Sequence, residues 1–164
     1  MLAVVVYESL WGNTAKVAHA IAEGLGPDVP SLSTAEATPE RVAGVDLIVA
    51  GGPVFAFHLS SDKSREDIRS GPDGRAFPPD LSHPSMRSWL DALPEGHGRS
   101  AAFDTQARGP FGKGAPTILK ALEAKGYARA AEPLGFIVLG KQGPLREGEL
   151  ERARAWGAEL GRLL

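Results

Sequence analysis

Ser9, Gly12, Asn13 and Thr14 stand directly after an apolar run and directly before a run with helical spacing. Their types suit one task, the holding of a phosphate. A helix start leaves backbone N–H groups without intrahelical partners and carries partial positive charge, so a loop wrapped over it binds a phosphate dianion with no Lys or Arg. Ser9, Asn13 and Thr14 add side-chain donors, and Gly12 permits a backbone geometry in which successive N–H groups aim at one anion. Leu10 and Glu8 offer nothing to a phosphate, so backbone groups would carry more of the binding. An ordinary helix cap uses the same residue types; the place at a strand-to-helix handover favours the phosphate.

The elements that position this loop follow from periodicity. Leu2 to Tyr7 is a continuous run rich in β-branched residues, the pattern of a strand buried on both faces. Thr14, Val17, Ala18, Ile21, Ala22 and Leu25 recur at helical spacing and Gly26-Pro27 ends the run. A short strand within Val29 to Leu32 follows, then a helix from Thr38-Pro39 to Gly44 with Pro at its first position, then a buried strand from Asp46 to Ala50. Ser82, His83 and Pro84 open a helix bearing Met86, Trp89, Leu90 and Leu93, and Ser100 to Asp104 reads as a strand. Pro116 opens a helix running to Gly126, Gly135 to Leu139 is the last strand, and Leu150, Ala153, Trp156, Leu160 and Leu163 line a terminal helix.

Five strand–helix units imply an α/β fold with a parallel sheet covered by helices on both faces and right-handed crossovers. Ligands in such sheets sit beyond the carboxyl ends of the strands. Gly51-Gly52-Pro53 reads as a shaped turn at that edge. Phe57 to Leu81 is polar, rich in Gly, Pro, Ser and Asp, and without periodicity, so it reads as a long loop of the kind that is usually functional.

Composition narrows the function classes. At 164 residues with 43% apolar content the chain fits one domain spanning 1–164. Net charge is −2 and the Lys and Arg residues are scattered, which gives no stripe for nucleic acid or an anionic membrane. With no cysteine there is no disulfide, thiolate zinc site, iron–sulfur cluster or cysteine nucleophile, so redox chemistry requires a bound cofactor. Neither a metal site nor a catalytic side chain is expected. The run Leu2 to Val6 is too short for a signal peptide and no stretch approaches about 18 apolar residues, so the expectation is a cytoplasmic protein without membrane insertion. No G-x-G-x-x-G follows the first strand, and Gly112-Lys113 is followed by Gly114, so dinucleotide and nucleoside triphosphate readings fail.

Ser9-x-x-Gly12-Asn13-Thr14 after Val4-Val5-Val6-Tyr7 resembles the flavodoxin phosphate loop, [S/T]-x-T-G-N-T, with Trp11 in place of the middle threonine. The strand–helix order is similar to that family over essentially the whole chain. The resemblance implies a flavodoxin-like doubly wound sheet of five parallel strands in the order 2-1-3-4-5, binding flavin mononucleotide (FMN). It implies that Ser9, Leu10, Trp11, Gly12, Asn13 and Thr14 hold the FMN phosphate. It implies that Pro53, Val54, Phe55 and Phe57 lie against the isoalloxazine, with either phenylalanine able to stack on the ring. The stretch Asp104, Thr105, Gln106 to Phe111 would flank the flavin from the other side. There Thr105 and Gln106 would hydrogen-bond ring carbonyl and imide groups, and Phe111 would pack on the outer face. His58, Arg108 and Lys113 stay open between a flavin role and plain solvation.

Electron transfer through bound flavin is the primary expectation, with a redox partner protein or a small acceptor as the other party. An FMN-dependent reductase of a small acceptor such as a quinone is the alternative. Carrier flavodoxins are strongly acidic around the flavin, whereas this chain is near neutral and places Arg65, Arg69, Arg75, Arg108 and Lys113 in expected loops. Phe57 to Leu81 would also suit a substrate cover or a homo-oligomer contact. A third expectation, motivated by Trp11, is a flavodoxin fold without cofactor acting as a binding module. A receiver-type phosphoacceptor domain fails because the second buried strand runs into Ala50-Gly51-Gly52 with no aspartate.

Overall fold

Val4, Val5 and Val6 carry no polar side-chain atom, and alternation along a strand sends Val4 and Val6 into one core and Val5 into another. The computed structural model describes residues 1–55, 58–109 and 113–164, with His58 by its backbone alone. The valines form β1 (Ala3–Tyr7), followed by α1 (Asn13–Leu25), β2 (Ser31–Ser33), α2 (Pro39–Val42) and β3 (Leu47–Phe55). Next come β4 (His58–Leu59), α3 (Asp62–Ser70), α4 (Pro72–Ala76), α5 (Met86–Ala92) and β5 (Arg99–Ala107). The chain ends with α6 (Ala115–Ala124), β6 (Ala128–Arg129), β7 (Leu134–Val138) and α7 (Glu149–Arg162).

The sheet runs β2-β1-β3-β5, and the position beyond β5 is shared by β6 and β7, both parallel to it. Counted as one interrupted strand, β6 and β7 complete the expected order 2-1-3-4-5. Pro133 stands in the interruption, and proline has no N–H to give a ladder. The short β4 pairs antiparallel with the far end of β3 through Val54 and Leu59.

Each face of the sheet has its own core. On one, Val5, Val49, Phe103 and Phe136 pack under α1 and α7. On the other, Val6, Ile48 and Ala102 pack under α5 and α6. The α1–α7 contact depends on two glycines: a Cβ on Gly24 would stand 2.0 Å from the Arg154 carbonyl oxygen, and one on Gly157 would stand 2.2 Å from that of Ile21.

Four expectations need correction. Gly51-Gly52-Pro53 is not a turn: β3 continues through it, paired as Gly51 with Phe103, Gly52 with Asp104 and Pro53 with Thr105. Gly51 is glycine because the Phe103 ring occupies the space a Cβ would need, 2.2 Å from its nearest atom. Likewise β5 runs on to Ala107, so Asp104, Thr105 and Gln106 are strand residues rather than loop. Helix α5 starts at Met86, not within Ser82 to Pro84, because Ser85 is the cap whose hydroxyl accepts from the Ser88 N–H. Finally, the described part of Phe57 to Leu81 holds β4, α3 and α4. Ser61 and Ser64 cap α3 reciprocally. Its one buried residue is Arg65, so no apolar period marks it.

Candidate functional site

The phosphate-type loop lies between β1 and α1, where Gly12 adopts φ 93°, a left-handed geometry suited to glycine. The Lys16 N–H is bonded to the Gly12 carbonyl and so begins the helical ladder. The N–H groups of Leu10, Trp11, Asn13, Thr14 and Ala15 meet no acceptor among the described residues. Five backbone donors at the loop and the first turn of α1 are thus left for a ligand. The Gly12 N–H is already used, donating to the Ser9 hydroxyl at 3.0 Å, and the Ser9 N–H donates to His83 Nε2 at 3.3 Å.

Two outer segments grip this loop. Trp11 Nε1 donates to the Phe77 carbonyl at 2.8 Å, and the Leu10 carbonyl accepts from the Asp80 N–H at 2.8 Å. On the other side Asn13 Nδ2 donates to the Gln142 carbonyl at 3.0 Å. The Thr14 hydroxyl is 2.7 Å from that of Thr105 on β5.

A pocket of about 230 Å³ opens beside the loop. Ser9, Leu10, Trp11, Asn13 and Thr14 line it from the loop, Pro53, Val54 and Phe55 from β3, and Thr105 from β5. Trp11 and Phe55 meet edge to face, 5.9 Å between ring centres, and form an aromatic corner. Gly12 shapes the loop without lining the pocket. Phe57 and Phe111, and the side chain of His58, lie outside the described residues. Arg108 and Lys113 are exposed.

Asp104 and Gln106 depart from their expected place, because the extension of β5 sends alternate residues to opposite faces. Thr105 and Ala107 line the pocket, while the Asp104 carboxylate accepts from the Gly114 and Ala115 N–H groups, both at 2.8 Å, and from Gln106 Nε2 at 2.9 Å. Asp104 thereby seats the start of α6. Burial pushes its carboxyl upward, against those three hydrogen bonds. The remaining lining residues, Ala107, Val138, Gly140 and Lys141, carry no sequence signal of their own. Three of them lie on or just after β7, and only the tertiary fold brings them back over the loop.

Beneath the loop, on the α5 face of the sheet, sits a polar cluster that sequence reading misses. Glu8 is fully buried, accepting from the Met86 N–H at 3.0 Å and from the Ser60 hydroxyl. Arg65 Nε is 3.6 Å from the same carboxylate, and its Nη2 donates to the His83 carbonyl at 2.7 Å. Burial raises the Glu8 pKa, opposed by the Ser60 and Met86 hydrogen bonds and by the charge of Arg65. Burial lowers that of His83, opposed by Asp80 and assisted by Arg65. Because the Ser9 N–H can only donate, His83 Nε2 must be the acceptor and hence unprotonated. Three links, Glu8 to Arg65, Arg65 to His83 and His83 to Ser9, tie the cluster to the loop above.

Among the described residues no helix is long and apolar enough to cross a membrane, and no group of His, Asp and Glu is arranged to hold a metal ion. No family model and no curated protein sequence matches the chain. Solved structures match it throughout. A flavodoxin from the domain Archaea superposes with a TM-score of 0.68 at 19% identity, covering 99% of this chain and 97% of that one. Oxidised flavodoxin 1 from Bacillus cereus gives 0.66 at 17% identity, covering 100% and 99%. The flavodiiron core of Flv1 from Synechocystis gives 0.60 at 15% identity, covering 99% of this chain but 35% of that one. The end-to-end superposition and the strand order 2-1-3-4-5 together give this chain the flavodoxin-like fold.

Proposed function

We propose that the protein binds FMN in the pocket beside Ser9 to Thr14 and transfers electrons through it, to or from a redox partner protein or a small acceptor. The observation that carries this reading is the set of five N–H groups, in the loop and the first turn of α1, that meet no acceptor among the described residues, a cradle for a phosphate dianion that needs no basic side chain. The adjoining walls suit a flat ring system, since Trp11, Phe55, Val54 and Val138 are apolar and Thr105 supplies a hydroxyl. Bound flavin supplies the electron chemistry itself. The chain's part is to bind the phosphate, seat the ring against the ends of β3 and β5, and keep water from it.

Electron transfer is favoured over a reductase by the mainly apolar lining, in which Lys141 is the one titratable side chain among the described residues. The described part of the 57–81 segment grips the loop through Phe77 and Asp80 instead of roofing a second chamber. Reconstitution tests the proposal. FMN added to purified protein is expected to show shifted visible bands and quenched fluorescence, because Trp11 and Phe55 stand beside the ring position. A spectrum identical to that of free FMN at micromolar concentration would leave only the cofactor-free binding module. Quinone reduction by the reconstituted protein with a pyridine nucleotide donor would instead favour the reductase.

A further inference from the structure

The connection between β7 and α7 folds back over the phosphate-type loop. The Gln142 carbonyl holds the Asn13 side chain, and a Cβ on Gly143 would stand 2.7 Å from Asn13 Oδ1, so this connection packs directly on the first residue of α1. One residue earlier, Lys141 lines the pocket and is the single cation there among the described residues. Its Nζ reaches Asp73 of α4 at 3.2 Å. Four residues after Asp73, the Phe77 carbonyl holds the Trp11 indole. The Lys141–Asp73 pair therefore spans the loop from its Asn13 side to its Trp11 side.

The pair is a weak restraint. Lys141 and Asp73 keep 44% and 64% of their side-chain surface in water, and ion pairs so exposed contribute little. A phosphate ester dianion in the cradle would offer the same ammonium a charge of about −1.5 to −2, in a partly enclosed place and beside five backbone donors. The loop also lacks a hydroxyl at Trp11, so a donor from elsewhere would fill a real deficit.

We propose that Lys141 reads the ligand's charge: on binding, its ammonium leaves Asp73 for the phosphate, and this exchange selects phosphorylated over phosphate-free flavin. The inference rests on the FMN reading of the pocket and adds to it a specificity residue outside the loop. Asp73 is then a competitor for Lys141, so loss of one and loss of the other act in opposite directions.

The test is titration of FMN and of riboflavin into the parent protein, Lys141→Met, Asp73→Asn and the double variant, at low salt and at about 0.5 M salt. Lys141→Met is expected to weaken FMN about tenfold at low salt and riboflavin less than about twofold, the size of one charge-assisted hydrogen bond net of the pair it replaces. Asp73→Asn is expected to tighten FMN about two- to fivefold, a gain that vanishes in the double variant and fades with salt. The opposite sign for Asp73→Asn cannot come from a damaged fold. Equal losses of both flavins in Lys141→Met, or a weakened FMN in Asp73→Asn, would overturn the role of Lys141 while leaving the pocket a flavin site. A parent that binds neither flavin overturns the cofactor reading itself, and this inference with it.

Discussion

The two sides of the Ser9–Thr14 loop are built in opposite ways. On the pocket side five N–H groups have no partner among the described residues. On the underside Glu8, Ser60, His83 and Arg65 are buried and hydrogen-bonded to one another or to backbone, and Arg65 Nε is the one fully buried side-chain atom of the cluster without a hydrogen bond. An anion cradle needs unsatisfied donors held in fixed directions, and donors free to relax would find partners of their own. The hydrogen-bonded underside supplies the fixing. His83 anchors the loop at Ser9, Glu8 follows the last residue of β1 and is tied to the start of α5, and Arg65 couples the two.

The comparison predicts that damage below the loop costs stability, while damage above it costs ligand. The largest effect is expected from Glu8→Ala. It leaves the Arg65 charge, the Ser60 hydroxyl and the Met86 N–H buried without their acceptor, for a loss of about 3 kcal/mol or more in chemical denaturation. A loss under about 1 kcal/mol would mean that the cluster is not the support described here.

Next in size is Thr14→Val, which alters the upper side alone. The Thr14 hydroxyl lines the pocket against Thr105, so the substitution is expected to weaken FMN about tenfold and riboflavin much less, with stability lowered by about 1 kcal/mol. Equal weakening of both flavins would make Thr14 a structural residue.

The smallest expected effect concerns pH. The folded pKa of His83 lies below the ordinary 6.5. The unfolded chain therefore binds a proton that the folded chain refuses, and stability falls as pH drops from about 6.5 through the folded value. Protonation there would also set two donors against each other at Ser9. His83→Gln keeps an acceptor but cannot take the proton, so it should flatten this part of the denaturation profile relative to the parent. An unchanged pH slope in the variant would remove His83 from the account.

The same contrast explains what the sequence made legible. The upper side is local: Ser9, Gly12, Asn13 and Thr14 are close neighbours at a strand-to-helix handover, so type and position suffice. The underside is assembled across the chain, with Glu8 meeting residues 52 and 78 positions away, and no period or spacing marks such a set. Helix α3 carries no sequence signal for a related reason, because its inward face presents Arg65 rather than an apolar stripe. The sequence reads as a strand ending at Asp104, and the family resemblance then sets Asp104 and Gln106 in a flavin-flanking loop. The strand continues to Ala107, and once pairing persists, alternation alone decides that Thr105 faces the pocket and its neighbours do not. Lys141 was invisible for want of any local cue, since its place over the loop depends on the path of the connection after β7.

The central claim is that the upper side of the loop is a phosphate cradle serving a flavin, and competition between FMN and riboflavin for the parent protein at low salt tests it most directly. The account predicts that both bind the same site and that FMN binds at least about tenfold more tightly, the difference being the phosphate held by backbone donors. Equal affinity for the two flavins, or binding of neither at micromolar concentration, would contradict it.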